Sequence, residues 1–224
     1  MDAKNVLLLV GSPKGFKSTS CAVGNGLAER LEKGGLTVER MAVGSALNSD
    51  DAAAGMQRAV ENADVIILSF PLYVDQLPAP LIRAAELIAA YRGAHPPLKP
   101  QKLMAIVQCG FPETHQNKVA GEIVRRFAKE AGFEWAGALA MGMGGAVAGR
   151  PLEKAGGVLR NVVKALDLTA GALLAGKSVP DDAAKLMAKP FLPRWTYTLI
   201  GNWGFKREAR KHGASRKLYD RPYA

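Results

Sequence analysis

Five short apolar runs, each followed by a stretch with helical periodicity, fill the first 175 residues and leave few folds open to the chain. Strands are predicted at 5–10, 36–43, 64–70, 102–109 and 134–141, and helices at 18–33, 50–62, 79–92, 117–132 and 153–175. Each strand run is apolar on both faces, the pattern required when helices cover both sides of a parallel sheet. Gly34-Gly35 and Gly132 stand where helix C-termini favour glycine. Five strand–helix units with right-handed crossovers predict a doubly wound α/β sheet. Such a sheet binds ligands outside the carboxyl ends of its strands, where strand order reverses. The loops at 11–18, 71–78 and 110–117 are therefore where chemistry is expected.

The first of these runs Gly11-Ser12-Pro13-Lys14-Gly15-Phe16-Lys17-Ser18-Thr19-Ser20, directly after the strand Asn5–Val10. A helix N-terminus offers unpaired N–H groups and the positive end of a dipole, so a phosphate is favoured there. Hydroxyls and lysines at the same turn strengthen that expectation. A nucleoside-triphosphate loop is rejected, because Phe16 occupies the position where G-x-x-x-x-G-K-[ST] requires glycine. The strand Val65-Ile66-Ile67-Leu68 also ends in Ser69-Phe70, without an acidic residue to hold Mg²⁺. The plainer alternative is a turn in which Ser18 or Thr19 only caps the helix.

Composition narrows the class. A chain of 224 residues with 48% hydrophobic and 22% charged residues is globular and long enough for a sizeable core. Cys21 and Cys109 form no C-x-x-C pair and are expected to be buried hydrophobes. His95, His115 and His212 have no metal-ligand spacing, so no metal is expected. The first residues lack the long apolar stretch of a signal peptide, and no run approaches a membrane span; a reduced, cytoplasmic protein is the expectation. Net charge is +10, and it is concentrated: residues 176–224 hold eleven Lys/Arg against four Asp/Glu, the remainder nineteen against sixteen.

The loop after the third strand, Phe70-Pro71-Leu72-Tyr73-Val74-Asp75-Gln76-Leu77-Pro78, is stiffened by proline and carries an aromatic ring. It suits a flat heteroaromatic ligand, stacked on Tyr73 and read by main-chain groups. Tyr73 covering the sheet end with its hydroxyl in water is the equal alternative. Asp75 is expected to fix its own turn. Glu113 and His115 are expected to cap the helix near Asn117 or face solvent. Met141-Gly142-Met143-Gly144-Gly145 reads as a pocket-edge or subunit-contact loop.

Three loops together carry a family resemblance. The G-S-P-x-x-x-x-S-x-S turn at Gly11–Ser20, the Pro71-Leu72-Tyr73 loop and Cys109-Gly110-Phe111-Pro112-Glu113 make the chain resemble the flavodoxin-like NAD(P)H-dependent FMN oxidoreductases. A C-terminal run from Pro193-Arg194-Trp195 through Lys211 to Pro222-Tyr223 looks like an extension seen in some members. The resemblance implies a sheet of order 2-1-3-4-5 over residues 1–176, a helical basic extension over 177–224, and non-covalent FMN. Ser12, Lys17, Ser18, Thr19 and Ser20 would surround the phosphate. Pro71, Leu72, Tyr73 and Val74 would border the isoalloxazine on one side, and Gly110 and Phe111 on the other. The cysteine cluster of related iron–sulfur flavoproteins is lacking, so electrons would leave by FMN alone. The implied activity takes a hydride from NAD(P)H to a quinone-, nitro- or azo-type acceptor, free flavin or a metal, in a homodimer and without a side-chain nucleophile. Lys14 and Arg150 are candidates for recognising the additional phosphate of NADPH.

Two other functions fit the same fold: an electron carrier of the flavodoxin type, and a flavin-free scaffold or membrane-recruited adaptor. Such carriers are generally acidic, and this chain is basic. In the tail, a helix is expected at 181–189, followed by aromatics and Lys206-Arg207-Glu208-Ala209-Arg210-Lys211. Contact with an anionic membrane surface or a polyanion is one reading of it. Packing across the core or a sister subunit is favoured, because seven exposed apolar groups would make an unusually large patch. Nucleic-acid binding is not expected, since no reading motif accompanies the charge.

Overall fold

A computed structural model of the protein describes residues 4–147 and 152–221; Arg150, Pro222 and Tyr223 lie outside them. The strands are β1 (Asn5–Val10), β2 (Thr37–Ala42), β3 (Val65–Pro71), β4 (Lys102–Gln108) and β5 (Glu134–Met141). They form one parallel sheet in the order β2-β1-β3-β4-β5, as expected. The helices are α1 (Thr19–Lys33), α2 (Val43–Ala46), α3 (Asp50–Asn62), α4 (Ala79–Ala94), α5 (Lys118–Glu130), α6 (Arg160–Leu174), α7 (Asp181–Met187) and α8 (Arg194–Lys211).

Strand alternation divides the core into two layers. In β1, Val6, Leu8 and Val10 join α1, α6 and α7 on one face, while Leu7 and Leu9 join α3, α4 and α5 on the other. The central strand β3 is buried along its whole length, as a strand covered on both faces must be. The edge strand β2 departs from the expected pattern: Thr37 and Glu39 are exposed, because an edge is only partly covered.

Helix α1 lies unusually close to the sheet. A Cβ on Gly24 would come within 2.9 Å of Leu8 Cδ1, and one on Gly26 within 2.6 Å of Leu152 Cδ1. The helix expected at 153–175 begins only at Arg160, preceded by 3-10 turns over Leu152–Leu159. Gly156-Gly157 explains the delay, since paired glycines disfavour an α-helical start.

The tail divides in two. Helix α7 packs on the core through Ala183 and Met187, and Val179 N–H donates to Ala136 O at 2.7 Å. Helix α8 does not pack across the core, the first of the two forms the packing expectation took, and none of its residues is buried. Beyond its first turns its apolar groups face outward, which is why no core contact forms. No helix among the described residues is long and apolar enough to cross a membrane.

The strand starts opposite the ligand side are tied by Asp64. Its carboxylate accepts the N–H groups of Lys4 and Asn5, both at 2.8 Å, and a hydrogen bond from Lys99 Nζ. Burial pushes its pKa up, but the Lys99 hydrogen bond, the two N–H groups and the Lys99 charge outweigh this and leave it below the usual aspartate value. A depressed folded-state pKa contributes stability above the unfolded value, about 4, and loses it as pH falls through the folded one. Asp64→Asn is therefore expected to cost about 1–3 kcal/mol near neutrality. In urea unfolding across pH, its deficit should narrow in acid below about pH 4.

Candidate functional site

At the carboxyl end of β1 the chain must turn sharply without moving away from the sheet. Gly11 N–H donates to Ser69 O at 2.8 Å, and a Cβ there would strike Leu81 Cδ2 at 2.6 Å. Ser12 is buried and its Oγ accepts the Lys14 N–H at 3.3 Å; Gly15 N–H donates to Ser12 O at 2.9 Å. Gly15, at φ +53°, turns the chain through a 3-10 segment into Ser18. Ser18 caps α1: its Oγ accepts the Cys21 N–H at 3.1 Å and donates to Gly15 O at 2.7 Å. The capping alternative is thus true of Ser18, but it is not the whole role of the turn.

Ser12, Lys14, Lys17, Ser18 and Thr19 line one cavity of about 380 Å³ with Pro71, Tyr73, Gln108 and Gly145. The cavity opens outside β1, β3 and β4, as the doubly wound topology predicts. Neither Lys14 nor Lys17 has a carboxylate partner among the described residues. Two lysines and the Ser12 hydroxyl therefore line the space at a helix N-terminus whose first N–H groups have no partner within the helix, and these favour an anion. This donor set fits a phosphate.

The other two loops are laced together behind it. Leu72 N–H donates to Gln108 O, Gly144 N–H to Cys109 O and Met143 N–H to Phe111 O, each at 2.8 Å. Thr19 Oγ1 donates to Gly144 O at 3.1 Å, tying α1 to the loop after β5. That loop is a pocket edge, as expected, and its glycines serve close approach. A side chain on Gly144 would overlap Gln108 Oε1, and one on Gly142 would meet Phe111 O and Pro112 O at 2.8 Å.

After β3, Tyr73 and Gln76 exchange N–H···O bonds at 3.0 and 3.1 Å around a two-residue turn. Val74 and Asp75 hold it at φ +49° and +61°. Left-handed backbone is rare for a β-branched residue, and it is stored strain at the rim of the cavity. Leu77 is buried below the turn, so the hairpin is anchored at its base and presents Tyr73, 45% exposed.

Among the residues singled out from sequence, Ser12, Lys17, Ser18, Thr19, Pro71 and Tyr73 meet in the cavity. Five others do not line it. Ser20 is fully buried and its Oγ has no hydrogen-bond partner among the described residues. Leu72 packs against the core, Val74 is 91% exposed at the hairpin tip, and Gly110 and Phe111 lie on the loop beyond Cys109. Gln108 was missed. Its signal was a polar residue ending an apolar strand on the ligand side of the sheet.

Glu113 does not cap a helix; it pairs with Arg194 of α8 at 3.0 Å. His115 is exposed, and Asn117 is buried, its Nδ2 donating to Met141 O at 3.2 Å and to Cys109 Sγ at 3.5 Å. Burial pushes the Cys109 thiol up, with hydrogen bonds from the Phe111 and Asn117 groups only partly offsetting it, so this sulfur is not a thiolate nucleophile. Cys21 is likewise raised by burial. Among the described residues no cluster of metal-binding side chains occurs.

Residues 4–145 match the family model for the flavodoxin-like fold. The chain belongs to that family. Compared by sequence with the curated proteins, it has no match. Among solved structures, a putative quinone reductase from Klebsiella pneumoniae aligns with a TM-score of 0.55 and 18% identity, over 79% of this chain and 87% of that one. An FMN-dependent NADH-azoreductase from Bacillus anthracis, in complex with FMN, aligns with a TM-score of 0.54 and 14% identity, over 76% and 99%. A flavodoxin from Streptococcus pneumoniae gives 0.52 and 15%, over 78% and 99%. Identities of this size establish a shared fold.

The Val74–Asp75 turn offers a direct check of the strain. Replacing the pair with Asn-Gly, the residues a turn of this kind prefers, is expected to raise unfolding stability by about 1 kcal/mol in a denaturant titration. An unchanged or lower midpoint would count against stored strain at this rim.

Proposed function

We propose that the protein is an FMN-dependent oxidoreductase that uses NAD(P)H to reduce a small acceptor of quinone, nitro or azo type. The observation that carries this reading is the cavity at the N-terminus of α1, where Lys14, Lys17, Ser12, Ser18 and Thr19 converge beside Tyr73 and Gln108. Its size, about 380 Å³, falls within the range of small-molecule sites. The FMN-dependent azoreductase of the same fold supports the choice of cofactor, and the basic net charge of +10 weighs against a carrier that docks on basic partners.

In this reading the Ser12 hydroxyl and the first N–H groups of α1 hold the phosphate, and Lys14 and Lys17 neutralise it. Ser18 and Thr19, whose hydroxyls donate to Gly15 O and Gly144 O, fix the turn around it, while Ser20 is withdrawn into the core. Pro71 and Tyr73 flank the ring, with the Gln108 amide on the strand side to hydrogen-bond a polar edge. Bound FMN supplies the redox chemistry, accepting a hydride from the nicotinamide and passing electrons to the second substrate. The protein contributes orientation and fixed dipoles, and no side chain acts as a nucleophile.

A visible spectrum of the purified protein, taken with added FMN and repeated anaerobically after NADPH and then NADH, tests the reading. Bound flavin bleached by either nucleotide is the expected outcome. Flavin that binds but stays oxidised with both would make the protein an electron carrier, and no flavin uptake would overturn the proposal. The double variant Lys14→Ala/Lys17→Ala should weaken FMN binding by at least about tenfold, in keeping with the loss of charge-assisted hydrogen bonds. Its thermal midpoint without flavin should match the wild type, because neither lysine pairs with a carboxylate among the described residues.

A further inference from the structure

Helix α8 is 18 residues long, about 27 Å, and none of its residues is buried. Among the described residues, its contacts with the body of the fold come from its first turns: Arg194 pairs with Glu113 at 3.0 Å, and the Tyr197 hydroxyl donates to Gly110 O at 2.8 Å. At about 100° per residue, Trp195, Leu199 and Trp203 lie on one stripe that Lys206 and Arg210 continue. Those three apolar residues are 68%, 59% and 62% exposed, and Ile200 and Phe205, also exposed, flank the stripe at about 100° and about 120° on its two sides. Tyr197 and Glu208 project from the opposite side. Glu208, the one acidic residue of α8, is held there by Lys211 at 2.9 Å and by His212 at 3.3 Å.

We propose that α8 docks on the surface of an anionic lipid bilayer, with Trp195, Leu199 and Trp203 seated at the headgroup boundary and Lys206, Arg207 and Arg210 on acidic headgroups. Charge selects the occupant. Between residues 189 and 221 there are nine Lys/Arg against two Asp/Glu. A second copy of the chain would bring a second strongly cationic tail to the contact, with like charges repelling. Nor do the first 175 residues carry the acidic surplus that would receive it. Tryptophan beside lysine and arginine is the composition that settles at a membrane interface, and α8 is too polar to cross one. Docking through α8 requires no cofactor, so it stands whether or not the redox reading does.

Full-length protein is sedimented with vesicles of phosphatidylcholine alone and with a three-to-one mixture of phosphatidylcholine and phosphatidylserine, while tryptophan fluorescence is followed. Binding to the mixed vesicles only, with a blue shift, is expected. K206E/R207E/R210E should lower the partition coefficient by at least about 100-fold. W195S/L199S/W203S should abolish the shift and most of the binding. All six positions are exposed, so circular dichroism should show both variants folded. Protein left in the supernatant with both vesicle types would overturn the proposal, as would binding that survives either variant. Charge-dependent binding indifferent to the aromatic variant, and equalled by a single-stranded RNA, would reveal a polyanion surface instead. A dimer in light scattering that W195S/L199S/W203S dissociates, without vesicle binding, would make the stripe a subunit interface and also overturn it.

Discussion

The close seat of α1 on the sheet is what the candidate site depends on. Gly24 presents no side chain to Leu8 and Ser69, so the helix axis can approach more closely than any larger residue would permit. Ser69 Oγ donates to Ser20 O at 2.7 Å, fastening the first turn of α1 to β3. Gly11 removes the clash with Leu81 and Phe70 at the strand end. With the strand end and the helix start both held, the N–H groups of the first turn point into the space outside β1 and β3. A phosphate attracted there meets dipole, lysines and hydroxyls in a fixed arrangement.

That arrangement has a back wall made almost entirely of main chain. Bonds between Leu72 and Gln108, Gly144 and Cys109, and Met143 and Phe111 join the loops after β3, β4 and β5 into one unit. Glycine at 142 and 144 is what lets these backbones meet, and the room at Gly144 is taken by the Gln108 side chain. Against this rigid wall stands a strained element, the Val74–Asp75 turn, which holds Tyr73 at the mouth. Strain kept at a ligand rim is a common sign that position matters more than stability there.

The C-terminal part follows different physics. Helix α7 is stabilised by burial of Ala183 and Met187 in the core, whereas among the described residues α8 is held at its start, by an ion pair and one hydrogen bond. Exposed ion pairs contribute little, so the helix depends on its own propensity and on whatever it contacts. Its start abuts Gly110 and Glu113, so any surface that α8 meets lies near the loop after β4.

Much of the fold was legible because apolar runs of five to eight residues between helical stretches leave a parallel sheet as the economical way to bury both faces. The strand limits at β1 and β5 were read without error. Helix α6 was read too long, because apolar periodicity continues through Gly156-Gly157 while the backbone does not. In the site, Ser12, Lys17, Ser18, Thr19, Pro71 and Tyr73 were legible because each lies on a strand-end loop. Gln108 was not, since its neighbour is Gly144, thirty-six residues on, and that contact exists only after β4 and β5 pair. Ser20 shares the hydroxyl chemistry of Ser18, and only the turn of α1 decides that it faces the core. The tail packs on the core through α7 but not through α8 for a related reason: composition reports that apolar groups need cover, but not which surface provides it. Residue types and their period thus determine local structure and the chemistry on offer. The direction in which each side chain is aimed is decided by helix rotation and strand pairing, which are settled only when the layers pack.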